Sequence, residues 1–258
     1  MKRNKGETSE KKAFWVFLLI VLGSLILGAV LGVLLSNLDR SGIAALGERL
    51  IPALVILVPV VFVGMNLVLL VLSVWKYRKA RILAPEIEAD ETVYEQVDHI
   101  LSYPILYGNI AMIVNLFLFS ASMALGDRVE DWKGAIVALV GLVTFVFGMV
   151  WIVVVQNQTV KLVKRLNPEK RGTIFQMNFQ KTWMSSCDEL EKLRIYQAGF
   201  QAYRVMGGVC LGLWLVTFLS QLFFGTGVLP VLCVCLIYLA GVLTYTLTAM
   251  RLEHPKQS

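Results

Sequence analysis

Charge is scarce in this sequence, and the scarcity comes in blocks. Six stretches of about 20–25 residues hold no Asp, Glu, Lys, Arg or His: Ala13–Ser36, Ile51–Trp75, Ile105–Leu125, Ala135–Val155, Val205–Phe224 and Val228–Met250. Together they cover more than half of the 258 residues. Charged residues make up 16% of the chain and hydrophobic ones 57%, where a soluble domain carries about 25% charge. An independent soluble domain of ordinary size is therefore excluded. Missing intramembrane carboxylates, histidines and arginines also count against an ion-coupled pump or a voltage sensor, although half-helix ends can bind ions without side-chain charge.

Other absences narrow the chemistry. There are two histidines, His99 and His254, and four cysteines. No cysteine pair has zinc-ligand spacing with histidine support. Cys210, Cys233 and Cys235 lie inside apolar blocks and read as small hydrophobes, while Cys187 lies in a polar connection. No GxxxxGK[ST], GxGxxG, HExxH or GxSxG occurs, so the common nucleotide, zinc-protease and hydrolase signatures are missing. Asp127, Glu130 and Asp131 lack calcium-loop spacing and read as a solvated turn. No metal, cofactor or catalytic residue is expected.

What is present points to the bilayer. About 20 apolar residues span a hydrocarbon core of roughly 30 Å, and lipid without water admits only hydrogen-bonded backbone, hence helices. The first block is about twice the length of a signal-peptide core and lacks a small-x-small cleavage pattern, so it reads as a retained helix. The expected fold is all-α: a polytopic membrane protein with six transmembrane helices in three hairpins.

Lys and Arg set the orientation. Twenty of the 24 fall in the N-terminal segment, the two long connections and the tail; only Arg40, Arg49, Arg128 and Lys133 fall opposite. Both termini are thus expected in the cytoplasm. The organisation is a basic N-terminus 1–12, hairpin 13–75, inner loop 76–104, hairpin 105–155, inner loop 156–204, hairpin 205–250 and tail 251–258. Acidic residues interleave with the positives, which argues against direct nucleic-acid binding.

Both inner loops share a plan: a basic stop, a Pro-Glu turn, then an amphipathic helix. In the first, Val93, Val97, Ile100 and Leu101 fall on one helical face, and Pro104 is expected to kink or restart the chain. In the second, Ser186 and Glu189 have capping-box spacing. Phe175, Met177, Phe179 and Trp183 alternate with polar residues, as in a strand or a flat interfacial segment. The apolar pairs Gly28–Gly32 and Gly208–Gly212 suit close helix packing.

The run Asn167-Pro168-Glu169-Lys170-Arg171-Gly172, then Phe179, Trp183, Ser186-Cys187-Asp188-Glu189, Glu191-Lys192, Tyr196, Ala198, Ala202 and Tyr203 resembles a family of uncharacterised multi-pass membrane proteins from Gram-positive bacteria, a domain of unknown function. The resemblance implies a bacterial plasma membrane and supplies no activity; its association with helix-turn-helix regulators suggests a cytoplasmic partner.

Two functional expectations follow. One is a non-enzymatic membrane protein binding a cytoplasmic regulator through the 156–204 loop, with Trp183, Cys187, Asp188, Glu189 and Lys192 as its surface. The other is a permease-like component that works with an ATPase subunit. There Asn66, Asn115 and Gln221 would line a path for a small neutral or peptidic substrate, against their commoner role in helix packing.

Overall fold

The computed structural model describes residues 40–88, 91–129 and 132–253, with six positions between 15 and 30. The expected first span, 13–36, and the pair Gly28–Gly32 otherwise lie outside the described residues. Among the described residues every regular element is helical: α1 (Arg40–Leu83), a 3₁₀ turn (Ala84–Glu88), α2 (Glu91–Asp127), α3 (Trp132–Leu166), the short α4 (Phe179–Ser185), α5 (Glu189–Phe224) and α6 (Leu229–Glu253). Five of these are long and apolar enough to cross a membrane.

Helix limits follow propensity and proline more closely than hydropathy. The stretch joining the first two charge-free blocks, 37–50, is helical from Arg40, because Ala44, Ala45, Leu46, Glu48 and Arg49 favour helix whether or not they lie in lipid. For the same reason Lys76–Leu83 extends α1 beyond its apolar run until Pro85 approaches. α3 likewise continues to Leu166, just before Asn167-Pro168. Pro104 does not restart the chain: α2 runs through it unbroken.

The chain forms two compact units, 45–195 and 1–44 with 196–258. In the first, α1, α2 and α3 meet in two apolar clusters. Leu69, Ala111, Trp151, Ile152 and Val155 form one. Ala80, Val97, Leu101 and Leu162 form the other, with Val93 and Ile100 packed against it. The second cluster lies past the charge-free runs of α1 and α3, so the bundle continues beyond the hydrocarbon length.

α2 and α3 approach through small residues at heptad spacing. Gly134, Gly141 and Gly148 on α3 face Gly126, Ser122 and Asn115 on α2. A Cβ at Gly141 would come within 2.6 Å of Ser122 Cβ, and one at Gly134 would strike the Gly126 and Val129 carbonyls. Such contacts bring backbones close where water supplies no driving force. No such approach is seen at Gly208 and Gly212 among the described residues, where a Cβ meets nothing within 4 Å.

In the second unit α5 turns into α6 through Gly225 and Gly227, both at positive φ (62° and 82°) that L side chains rarely adopt. Tyr203 stacks on Tyr245 at 4.6 Å, and Ser220 Oγ lies 3.2 Å from Thr226 Oγ1.

The distribution of polarity is inverted relative to a soluble bundle. Ile56, Val60, Ile113, Phe117 and Val143 point outward, while Asn66, Ser73, Asn115, Ser122 and Thr159 are buried. Contiguous apolar surface of this extent matches lipid as the surrounding solvent.

Candidate functional site

Two polar constellations emerge in the first unit, one within the spans and one at the basic end. The first joins residues far apart in sequence. Asn66 Nδ2 donates to Asn115 Oδ1 and Asn115 Nδ2 donates to Asn66 Oδ1, each at 3.2 Å. The remaining amide hydrogens reach the Phe62 and Ala111 carbonyls at 3.1 and 2.7 Å. Trp151 Nε1 donates to Asn66 Oδ1 at 3.0 Å. Asn66 therefore uses both donors and both acceptor positions. Gly148 leaves the room: a Cβ there would lie 2.7 Å from Asn66 Oδ1. Gln221 is not part of this cluster; it lies on α5, its Oε1 buried and without a hydrogen-bond partner among the described residues.

The second constellation is the connection between α3 and α5. After Leu166, Lys170 N–H donates to the Asn167 carbonyl at 3.1 Å, closing a turn. Gly172 follows at φ 104°, and its missing Cβ would sit 3.2 Å from the Phe179 ring. Phe179 packs on Trp183 within α4, with centroids 5.5 Å apart. The expected strand or flat segment is thus two turns and a seven-residue helix.

At the centre of this connection lies Lys170, buried although charged. Its ammonium is paired with the Glu191 carboxylate, lies 3.4 Å from Cys187 Sγ, and stands 5.7 Å from the Trp183 ring centroid. Burial pulls its pKa down, but hydrogen bonds to Glu191 and Cys187 outweigh that and hold it raised. It is therefore a charged donor and not a base for Cys187. His99 packs edge-on against Tyr103, 5.3 Å away, and is not a hydrogen-bond partner of Cys187.

The capping assignment also moves. Glu191 N–H donates to Asp188 Oδ1 at 2.7 Å while Asp188 N–H donates to Glu191 Oε2 at 3.1 Å, a reciprocal capping box. Ser186 is engaged elsewhere. Its hydroxyl donates to the Trp183 carbonyl at 2.7 Å and accepts from Arg171 N–H at 3.1 Å. One carboxylate, Glu191, thus starts α5 and neutralises Lys170.

Of the five residues expected to form a surface, Cys187 is buried and Trp183 and Lys192 are half-buried; Asp188 and Glu189 are exposed. Two apolar side chains that the sequence placed in a strand or flat interfacial segment, not in this surface, project outward instead, Phe175 (70% exposed) and Met177 (102%). Nothing in their local spacing distinguishes them from Phe179, which turns inward. Among the described residues no cluster of His, Cys, Asp and Glu is placed to hold a metal ion; Glu130 and Asp131 lie outside the described residues.

A family model described as a protein of unknown function (DUF3169) matches residues 11–249. No curated protein and no solved structure matches the chain.

Proposed function

We propose, from the premise that the chain belongs to the DUF3169 family of proteins of unknown function, that it holds a soluble partner at the membrane. In this reading the chain crosses the bilayer six times, Ala13–Ser36 adding to the five spans described. Both termini are cytoplasmic, supported by the one-sided Lys and Arg distribution. The binding surface is the α3–α5 connection, and this reading is non-enzymatic; the burial of Cys187 speaks against its use as a nucleophile.

The carrying observation is the outward projection of Phe175 and Met177 from a connection whose interior is pinned by Lys170 and Glu191. Distance favours a protein over lipid as what covers them. α3 runs eleven residues past Val155, about 16 Å at 1.5 Å per residue. The headgroup layer is only about 5–8 Å deep on each side. In this reading the end of α3 stands clear of the bilayer, and the apolar side chains of the connection that follows it serve a soluble surface. The Asn66–Asn115 pair, its amide hydrogens all bonded to protein, supports a packing role rather than a substrate path.

A photoreactive residue at position 177 in cells tests this, with position 132 at the opposite end as control. The proposal expects a soluble-protein adduct at 177, absent at 132 and lost with Phe175→Ser. An ATPase subunit in the adduct would instead favour the permease component. Adducts with lipid or the chain alone would reject the proposal.

A further inference from the structure

A groove between α1 and α3 has no role in the reading above. It is about 230 Å³, lined by Tyr77 and Arg81 from α1 and by Gln158, Lys161, Leu162 and Arg165 from α3. The lining residues follow helical geometry: 77 and 81 are one turn apart, and 158, 161 and 165 recur every three or four residues. No carboxylate lines the groove. None of its three cations has an ion pair or hydrogen bond among the described residues, where Lys170–Glu191 is the one salt bridge. Three like charges kept around one concavity without a counter-charge repel one another, and a bound anion would relieve that repulsion.

Position identifies the anion. Tyr77 and Arg81 follow Trp75, the last residue of an apolar run, by two and six residues, about 3 and 9 Å along the helix. Gln158 and Lys161 follow Val155 by about 5 and 9 Å. Arg165, ten residues past Val155, starts about 15 Å out. The groove therefore runs from the headgroup layer, at Tyr77 and Gln158, to beyond it at Arg165. Helical Cβ atoms tilt toward the helix N-terminus; α1 and α3 both run out of their spans here, so these side chains lean back toward the bilayer. We infer that this groove binds the phosphate of an anionic phospholipid, with Arg81, Lys161 and Arg165 as its cations and Tyr77 and Gln158 as neutral donors. The inference depends on the membrane spans but not on the soluble partner proposed above.

Native mass spectrometry of the purified full chain tests it, with phosphatidylglycerol and phosphatidylcholine as probes. Wild type should retain phosphatidylglycerol preferentially, and Arg81→Gln/Lys161→Gln/Arg165→Gln should weaken that binding at least about tenfold. The control Arg171→Gln/Lys181→Gln/Arg194→Gln removes equal charge from exposed positions of the same region and should leave it within about twofold. Since the groove cations have no ion pair or hydrogen bond among the described residues, unchanged circular dichroism is expected for both variants. Equal loss in the two variants, or equal retention of both lipids, would overturn the site. Displacement of the lipid by millimolar inorganic phosphate would overturn the assignment to a lipid headgroup in favour of a soluble anion.

Discussion

Asn66 and Asn115 show how much a single side chain can hold in this bundle. Asn66→Leu leaves Trp151 Nε1 and one Asn115 hydrogen without acceptors, whereas Asn115→Leu strands only Asn66 groups. Stranding a buried polar group costs about 1–3 kcal/mol, though interhelical bonds in membranes average nearer 0.6 kcal/mol. Asn66→Leu should therefore destabilise more than Asn115→Leu, and the double variant less than their sum. Unfolding in mixed micelles by rising SDS checks the order; additive losses would contradict the shared network. Lys170 gives a second residue-scale prediction. A pKa raised above the ordinary 10.5 means the native state holds the proton more tightly. The stability from this shift is complete below pH 10.5 and lost as pH rises through the higher native value. Lys170→Met should accordingly flatten the alkaline fall in unfolding free energy between neutral pH and pH above 10.5, measured by denaturant titration. Neither arrangement was legible in the sequence. Both asparagines were visible as candidates, but pairing across 49 positions requires the helix register. Lys170 carried no sign of burial in the sequence, because lysine is seldom buried unless paired and its partner is 21 residues away.

Helices and their seams behave more predictably. The face Val93, Val97, Ile100 and Leu101 was legible because periodicity records which side is buried, and the structure packs these residues between α1 and α3. The capping frame was not, since Ser186-x-x-Glu189 and Asp188-x-x-Glu191 overlap and both satisfy the local rule. Tertiary contact chooses between them: only the second places its glutamate against Lys170. The α2–α3 seam had a signal in the glycines at 134, 141 and 148, while the more familiar four-residue pair Gly208–Gly212 meets no other side chain closely among the described residues. Gly134→Ala should consequently cost at least about 1–3 kcal/mol, since backbone carbonyls occupy the space. Gly212→Ala should be neutral, or stabilising by up to about 1 kcal/mol through helix propensity. Thermal unfolding of the two variants in one detergent checks the contrast; equal effects would contradict the assigned seam.

At the scale of the whole molecule, absent charge made the spans legible and left their chemistry blank. The five described long helices match five of the six charge-free runs, because lipid imposes a length and polarity rule that needs no partner information. Functional surface is harder to read, since an exposed Met177 and an inward Phe179 differ only by which way a turn closes. The central claim is that the α3–α5 connection is a folded surface on the cytoplasmic side. Labelling with a membrane-impermeant maleimide tests it most directly, on Met177→Cys and Lys133→Cys in a chain cleared of its four native cysteines. The account predicts that position 133 labels in intact cells and position 177 only after permeabilisation. Labelling of position 177 in intact cells would contradict the orientation and remove the soluble-partner reading with it.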